Sequence, residues 1–157
     1  VSITPQNANW KVKHLGKYNF LCLETSTHTL LHIELNSELV VKIITINYES
    51  KPKAVIDFEV MSGESLEIYI VDELVNIYHF ELSSNTSTMV DVEAKMIINS
   101  AVFGPPAENM PLKSFFFNWK PSHKVDSPSV WSYIVYLPNI FLLIDLKERK
   151  FRELASK

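Results

Sequence analysis

The sequence predicts an all-β fold of antiparallel strands, and three observations carry that expectation. Runs of strand length rich in Val, Ile, Tyr and Phe recur along the chain and are separated by short polar turns. Helical periodicity is scarce. A seven-residue phrase is written three times, as TLLHIEL (29–35), NIYHFEL (76–82) and IFLLIDL (140–146).

The segments follow in order. KYNFLCLE (17–24) ends at the polar TSTH; TLLHIEL follows, then LVVKIITINYE (39–49). AVIDFEV (54–60) alternates in period two, with Val55, Asp57 and Glu59 opposing Ala54, Ile56, Phe58 and Val60. SLEIYIV (65–71) and LVNIYHFEL (74–82) are separated only by Asp72 and Glu73, which predicts a tight hairpin. MVDVEAKMIIN (89–99) suits a strand as well as a short helix. The closing LKERKFRELASK suits either a terminal helix or a turn followed by the edge strand FREL.

Composition narrows the classes. The 157 residues suffice for one domain with a sizeable core, and 46% apolar against 21% charged residues is an ordinary globular balance. A net charge of −3 argues against a general nucleic-acid surface. No apolar run approaches the length of a membrane helix. The single cysteine, Cys22, permits no internal disulfide and favours a reducing, intracellular setting, cytoplasm or nucleus. Three glycines against eight prolines exclude a Gly-rich phosphate cradle, so turns must rely on Asn, Asp, Ser and Pro. The triplet Asn85-Thr86-Ser87 matches a glycan acceptor but lies in a polar turn where such triplets arise by chance.

The three phrases align residue by residue. Leu30, Ile77 and Phe141 coincide, as do Ile33, Phe80 and Ile144; an acid follows in each (Glu34, Glu81, Asp145), then a leucine (Leu35, Leu82, Leu146). The copies lie 47 residues apart from 30 to 77 and 64 apart from 77 to 141. The first spacing is that of a propeller blade; the excess in the second is assigned to an insertion at 104–128, which holds five of the eight prolines. The pattern resembles the WD40-like β-propellers, whose third blade strand ends in an apolar-apolar-Trp-Asp-Leu phrase. The Trp-Asp pair and the preceding Gly-His pair are missing, so the resemblance is to a divergent member without the usual hydrogen-bonded tetrad. YLPNIFLLIDL, about a dozen residues, is also similar to a stretch in the propeller of the γ-secretase-activating (pigeon) family. The resemblance implies that residues 1–157 are a single β domain or propeller segment of about three antiparallel blades. A closed ring needs at least four, so further blades or another chain are expected to complete it. A β-sandwich is the alternative; it explains the strand count but not the repeated phrase.

Chemistry is sparse. His32 and His79 each precede an acid by two residues on one strand face, a pairing that suits a metal, but no third ligand is evident in the sequence. No metal and no cofactor are expected. The serines lack a nucleophile elbow, and Cys22 sits mid-strand between Leu21 and Leu23. The pairs Asp57/Glu59 and Asp91/Glu93 suit solvated faces. No enzyme is expected. The candidate contact surface is in the insertion: Phe115, Phe116, Phe117 and Trp119, with Lys120, His123 and Lys124 beside them. Phe116 must point opposite to Phe115, Phe117 and Trp119. Aromatics next to cations suit a protein partner; burial of both faces between blades, with the lysines merely at strand ends, is the plainer explanation. The expected function is a non-catalytic, propeller-type scaffold for protein–protein interaction, bound to other protein chains or to further blades. A ligand-binding β-sandwich module is the alternative.

Overall fold

The computed structural model describes residues 9–26, 28–35, 37–52, 54–62, 65–83, 88–99, 101, 113–136 and 140–156. The fold is all-β and dominated by antiparallel pairing. The strands are β1 (Trp10–Gly16), β2 (Asn19–Glu24), β3 (Thr29–Leu35), β4 (Leu39–Tyr48), β5 (Val55–Ser62), β6 (Leu66–Asp72), β7 (Ile77–Leu82), β8 (Met89–Ile98), β9 (Lys113–Trp119), β10 (Val130–Tyr136), β11 (Ile140–Asp145) and β12 (Lys150–Ser156). Among the described residues no helix is long and apolar enough to cross a membrane.

The chain divides into two compact units, 1–96 and 97–157. The first is an eight-stranded, nearly closed, barrel-like sheet of order β1-β2-β3-β4-β8-β7-β6-β5. It consists of two four-strand series joined where β4 runs parallel to β8, from Ile43↔Met89 to Tyr48↔Ala94. The terminal strands β1 and β5 approach each other, and Lys13 Nζ lies 3.0 Å from Glu59 Oε2 between them. One apolar core fills this unit, with Leu21, Leu23, Leu30, Ile44, Phe58, Ile68, Ile70, Tyr78, Phe80 and Ala94. Inward residues recur at i, i+2 on β2, β4, β6 and β7, as a pleated strand requires.

The second unit contains a four-stranded sheet, β12-β11-β10-β9, antiparallel throughout. Its central strands carry buried side chains at successive positions: Ser132, Tyr133, Ile134 and Val135 on β10, and Leu142, Leu143 and Ile144 on β11. The terminal segment is the strand β12 rather than a helix.

Each copy of the repeated phrase occupies the third strand of a consecutive four-strand series: β3, β7 and β11. Its acid acts differently in each. Asp145 Oδ1 accepts from the amides of Lys147 and Glu148 and shapes the β11–β12 turn, where Arg149 adopts a φ of 59°. Glu34 lies 3.7 Å from both His32 Nε2 and Lys42 Nζ. Glu81 stands on the exposed side of β7.

The expected tight hairpin at Asp72–Glu73 is a four-residue turn, 73–76, organised by a side chain. The buried Asp72 carboxylate accepts from the amides of Leu74 (3.0 Å) and Asn76 (2.9 Å) and from the Asn76 side-chain amide (2.9 Å). This network holds Val75, a β-branched residue, at a φ of 66°. The potential glycan acceptor at 85–87 lies outside the described residues.

Candidate functional site at the β9 edge

Strand β9 is KSFFFNW, and three consecutive phenylalanines force aromatic side chains onto both faces. It is the end strand of its sheet. Its residues pair with β10, Phe115↔Ile134, Phe116↔Tyr133, Phe117↔Ser132 and Trp119↔Val130, and among the described residues no strand pairs with the opposite edge.

Register and side-chain size set the two faces. Phe116 is half-buried, its ring centroid 4.7 Å from that of Tyr133 at 64°, an edge-on contact. The Tyr133 hydroxyl donates to Ser114 Oγ at 2.7 Å, fixing the same face. On the other face the cross-strand neighbour of Phe117 is the small, fully buried Ser132. The Trp119 indole leans diagonally toward this residue and donates from Nε1 to Ser132 Oγ at 3.0 Å. Trp119 is thereby half-buried, whereas Phe115 and Phe117 remain 38% and 45% exposed. The sequence's division of Phe116 from the other three aromatics matches these contacts, and the outer group divides again into an anchored indole and two open rings.

The cations lie beyond the strand end. Lys120, His123 and Lys124 are all exposed. The turn that carries them is held by Ser127, whose hydroxyl donates to the carbonyls of Ser122 (3.0 Å) and Lys124 (2.8 Å). Lys120 Nζ reaches the Val125 carbonyl at 3.4 Å. Val125 itself is 94% exposed. The result is the end strand of a sheet, unpaired on its outer side by any strand among the described residues, with two open phenylalanines and an adjoining basic turn.

Comparison with protein-family models, curated proteins and solved structures returns no match. The site therefore stands on its own geometry.

The remaining candidate groups take ordinary places. Cys22 is half-buried on β2, and burial pushes its thiol above the usual range, which favours the unreactive protonated form. His32 is held below the ordinary histidine value, mainly by burial; Glu34 opposes this and Lys42 adds to it. Asp57 accepts from the Phe58 amide at 2.8 Å, Glu59 binds Lys13, and Asp91 and Glu93 are exposed.

One apolar surface is not evident from the sequence. Leu39, Val41 and Ile43 alternate along β4 and stay exposed, next to exposed Leu35 on β3 and Met89 on β8. The run LVVKII contains the signal, since Leu39, Val41 and Ile43 form one apolar face while Val40 and Ile44 place apolar residues on the other beside Lys42. A strand apolar on both faces leaves one of them to be covered from outside its own sheet, and sequence alone does not say which.

Proposed function

We propose that this protein is a non-catalytic, intracellular scaffold of propeller-type blades, and that it binds another protein chain along the β9 edge. The observation that carries this reading is the end position of β9 with Phe115 and Phe117 open beside a basic turn. Backbone groups on such an edge can accept an added strand, and alternate side chains then select the partner. Fully burying a phenylalanine is worth about 1.5–3 kcal/mol, so covering the exposed parts of two would supply on the order of 2 kcal/mol in addition to the strand hydrogen bonds.

The propeller component is supported by the phrase falling on the third strand of three successive four-strand series, the place that the WD40-like resemblance implies. Burial at successive positions on β6, β10 and β11 also suits blades covered on both faces. A scaffold is favoured over a ligand-binding module because large side chains fill the interior of the first unit.

Site-specific photo-crosslinking tests the contact. A crosslinker at Phe117 should yield adducts with another protein that excess unlabelled chain competes away. A crosslinker at Tyr18, 62% exposed on the β1–β2 turn, serves as control. Equal yields from the two positions would overturn the assignment.

A further inference from the structure

We propose that Glu67, His79 and Glu81 form a binding site for a divalent transition-metal ion of the zinc class. The sequence shows a His–acid pair on β7 without a third ligand; the fold supplies it from β6. Register places Glu67 directly opposite Glu81 and Tyr69 directly opposite His79, so Glu67, His79 and Glu81 share one face of the sheet. One donor atom from each lies within 4.8 Å of the other two.

Three features separate this cluster from an ordinary solvated face. Two carboxylates directly across an antiparallel pair repel each other, so a cation between them is favoured. His79 Nε2 is sealed from solvent and lies 3.3 Å from Glu67 Oε1, yet makes no aligned hydrogen bond. An imidazole nitrogen facing a carboxylate oxygen in this way needs either its own N–H or a metal ion between the two. The ring is also held in place: its centroid lies 4.7 Å from that of Tyr69, inclined at 39°. Metal bonds of about 2.0–2.2 Å place tetrahedral donor atoms roughly 3.3–3.6 Å apart. The His79 Nε2–Glu67 Oε1 separation of 3.3 Å already has that spacing, and Glu81 is exposed. Glu67 is 41% exposed, leaving water access to the remaining coordination position. One imidazole with two carboxylates suits zinc better than calcium or magnesium, which prefer all-oxygen shells.

The first copy of the phrase is an internal contrast. There Glu34 lies opposite Asn19 rather than an acid, His32 lies opposite Lys42, and the Lys42 ammonium lies 3.7 Å from Glu34. That copy supplies its own cation. The second copy replaces asparagine with Glu67 and so gathers two acids around one histidine.

Titration calorimetry of the chelator-treated chain with zinc chloride tests the site. The wild-type protein should take up one ion saturably. His79→Leu, which introduces the residue type that Leu143 supplies at the equivalent position of the third copy, should weaken uptake by more than about tenfold, since a lost ligand should exceed the effect of a lost outer-shell partner. His32→Leu should leave it unchanged. Glu81→Gln, on an exposed carboxylate, provides a second variant should His79→Leu fail to fold, and should weaken uptake comparably. Absence of saturable uptake by the wild type, or wild-type uptake in a folded His79→Leu or Glu81→Gln protein, would overturn the proposal.

Discussion

Lys13 on β1 and Glu59 on β5 meet at 3.0 Å and link the two end strands of the eight-stranded sheet. The pair is partly exposed, Lys13 at 38% and Glu59 at 17% of the side chain. Exposed pairs are worth about 0–1 kcal/mol, so the apolar core rather than this contact holds the edges together. Lys13→Met, which keeps the aliphatic stem and deletes the charge, is expected to lower the unfolding free energy by less than about 1 kcal/mol in urea titration. A loss of several kcal/mol would make the ion pair the principal clasp.

Asp72→Ala should be far more damaging. It deprives the amides of Leu74 and Asn76 and the Asn76 side chain of their acceptor in a turn built around the fully buried Asp72. Each buried unsatisfied donor costs about 1–3 kcal/mol, so destabilisation of at least about 3 kcal/mol is expected from chemical denaturation. Asp72→Asn retains an acceptor oxygen and should recover part of the loss.

Phe115→Asp/Phe117→Asp should suppress self-association of the isolated chain without lowering its melting temperature by more than a few degrees, because both rings are open to solvent. Sedimentation velocity of the two proteins at matched concentrations checks this. The wild type is expected to associate as concentration rises. A wild type that stays monodisperse and monomeric would count against an edge built to receive a partner.

His28 and His32 are both held below the ordinary value of 6.5, each mainly by burial; Lys51 and Lys42 respectively push in the same direction and Glu24 and Glu34 oppose. A depressed histidine value means the unfolded chain binds more protons in the window just below 6.5, so their contribution to stability is intact above that value and declines as pH falls through it. His32→Leu should therefore show a smaller loss of melting temperature than wild type between about pH 7.5 and about pH 5, a difference that differential scanning calorimetry can resolve. An identical slope would show that His32 does not contribute.

Burial next to Asp72 pushes the Tyr78 hydroxyl up to about 12, opposed by a hydrogen bond with Ser50. Tyr48 is held higher still by burial and by Tyr78. An acid with a raised folded-state value loses stability as pH climbs above its unfolded value of about 10. Absorbance of tyrosinate should consequently rise in two stages, with the later one coinciding with alkaline unfolding. Tyr48→Phe should remove part of the later stage.

Much of the strand order was legible because the repeated phrase fixes where each third strand falls, but not its facing: β3 turns Leu30 into the core, whereas β7 turns in Tyr78, Phe80 and Leu82, the opposite face of the phrase. What escaped has physical causes. WKVKHLG, which the strand pattern above leaves unassigned, is the end strand β1: Val12 lies exposed, whereas Lys13 is kept by a partner on β5. The Asp72 turn looks two residues long in the sequence because its closure depends on a carboxylate reaching around the corner, which strand propensity does not register. Phe115, Phe116, Phe117 and Trp119 were identifiable as a group, but only the register opposite Ser132 separates the anchored indole from the open rings. Glu67 was invisible as a companion of His79 because the two are twelve residues apart in sequence and become neighbours only through the β6–β7 register.

The parallel join between β4 and β8 has a consequence for how the first unit assembles. Its partners, from Ile43↔Met89 onward, are 46 positions apart, whereas the antiparallel pairings within that unit join strands consecutive in sequence. Loop-closure entropy favours the nearby pairings first, so the two antiparallel series should form early and the parallel join last. A join made last is also the least costly to reopen. The amides of Ile43 and Glu49, which donate across it to the carbonyls of Thr88 and Ala94, should exchange with deuterium well before amides inside either antiparallel series.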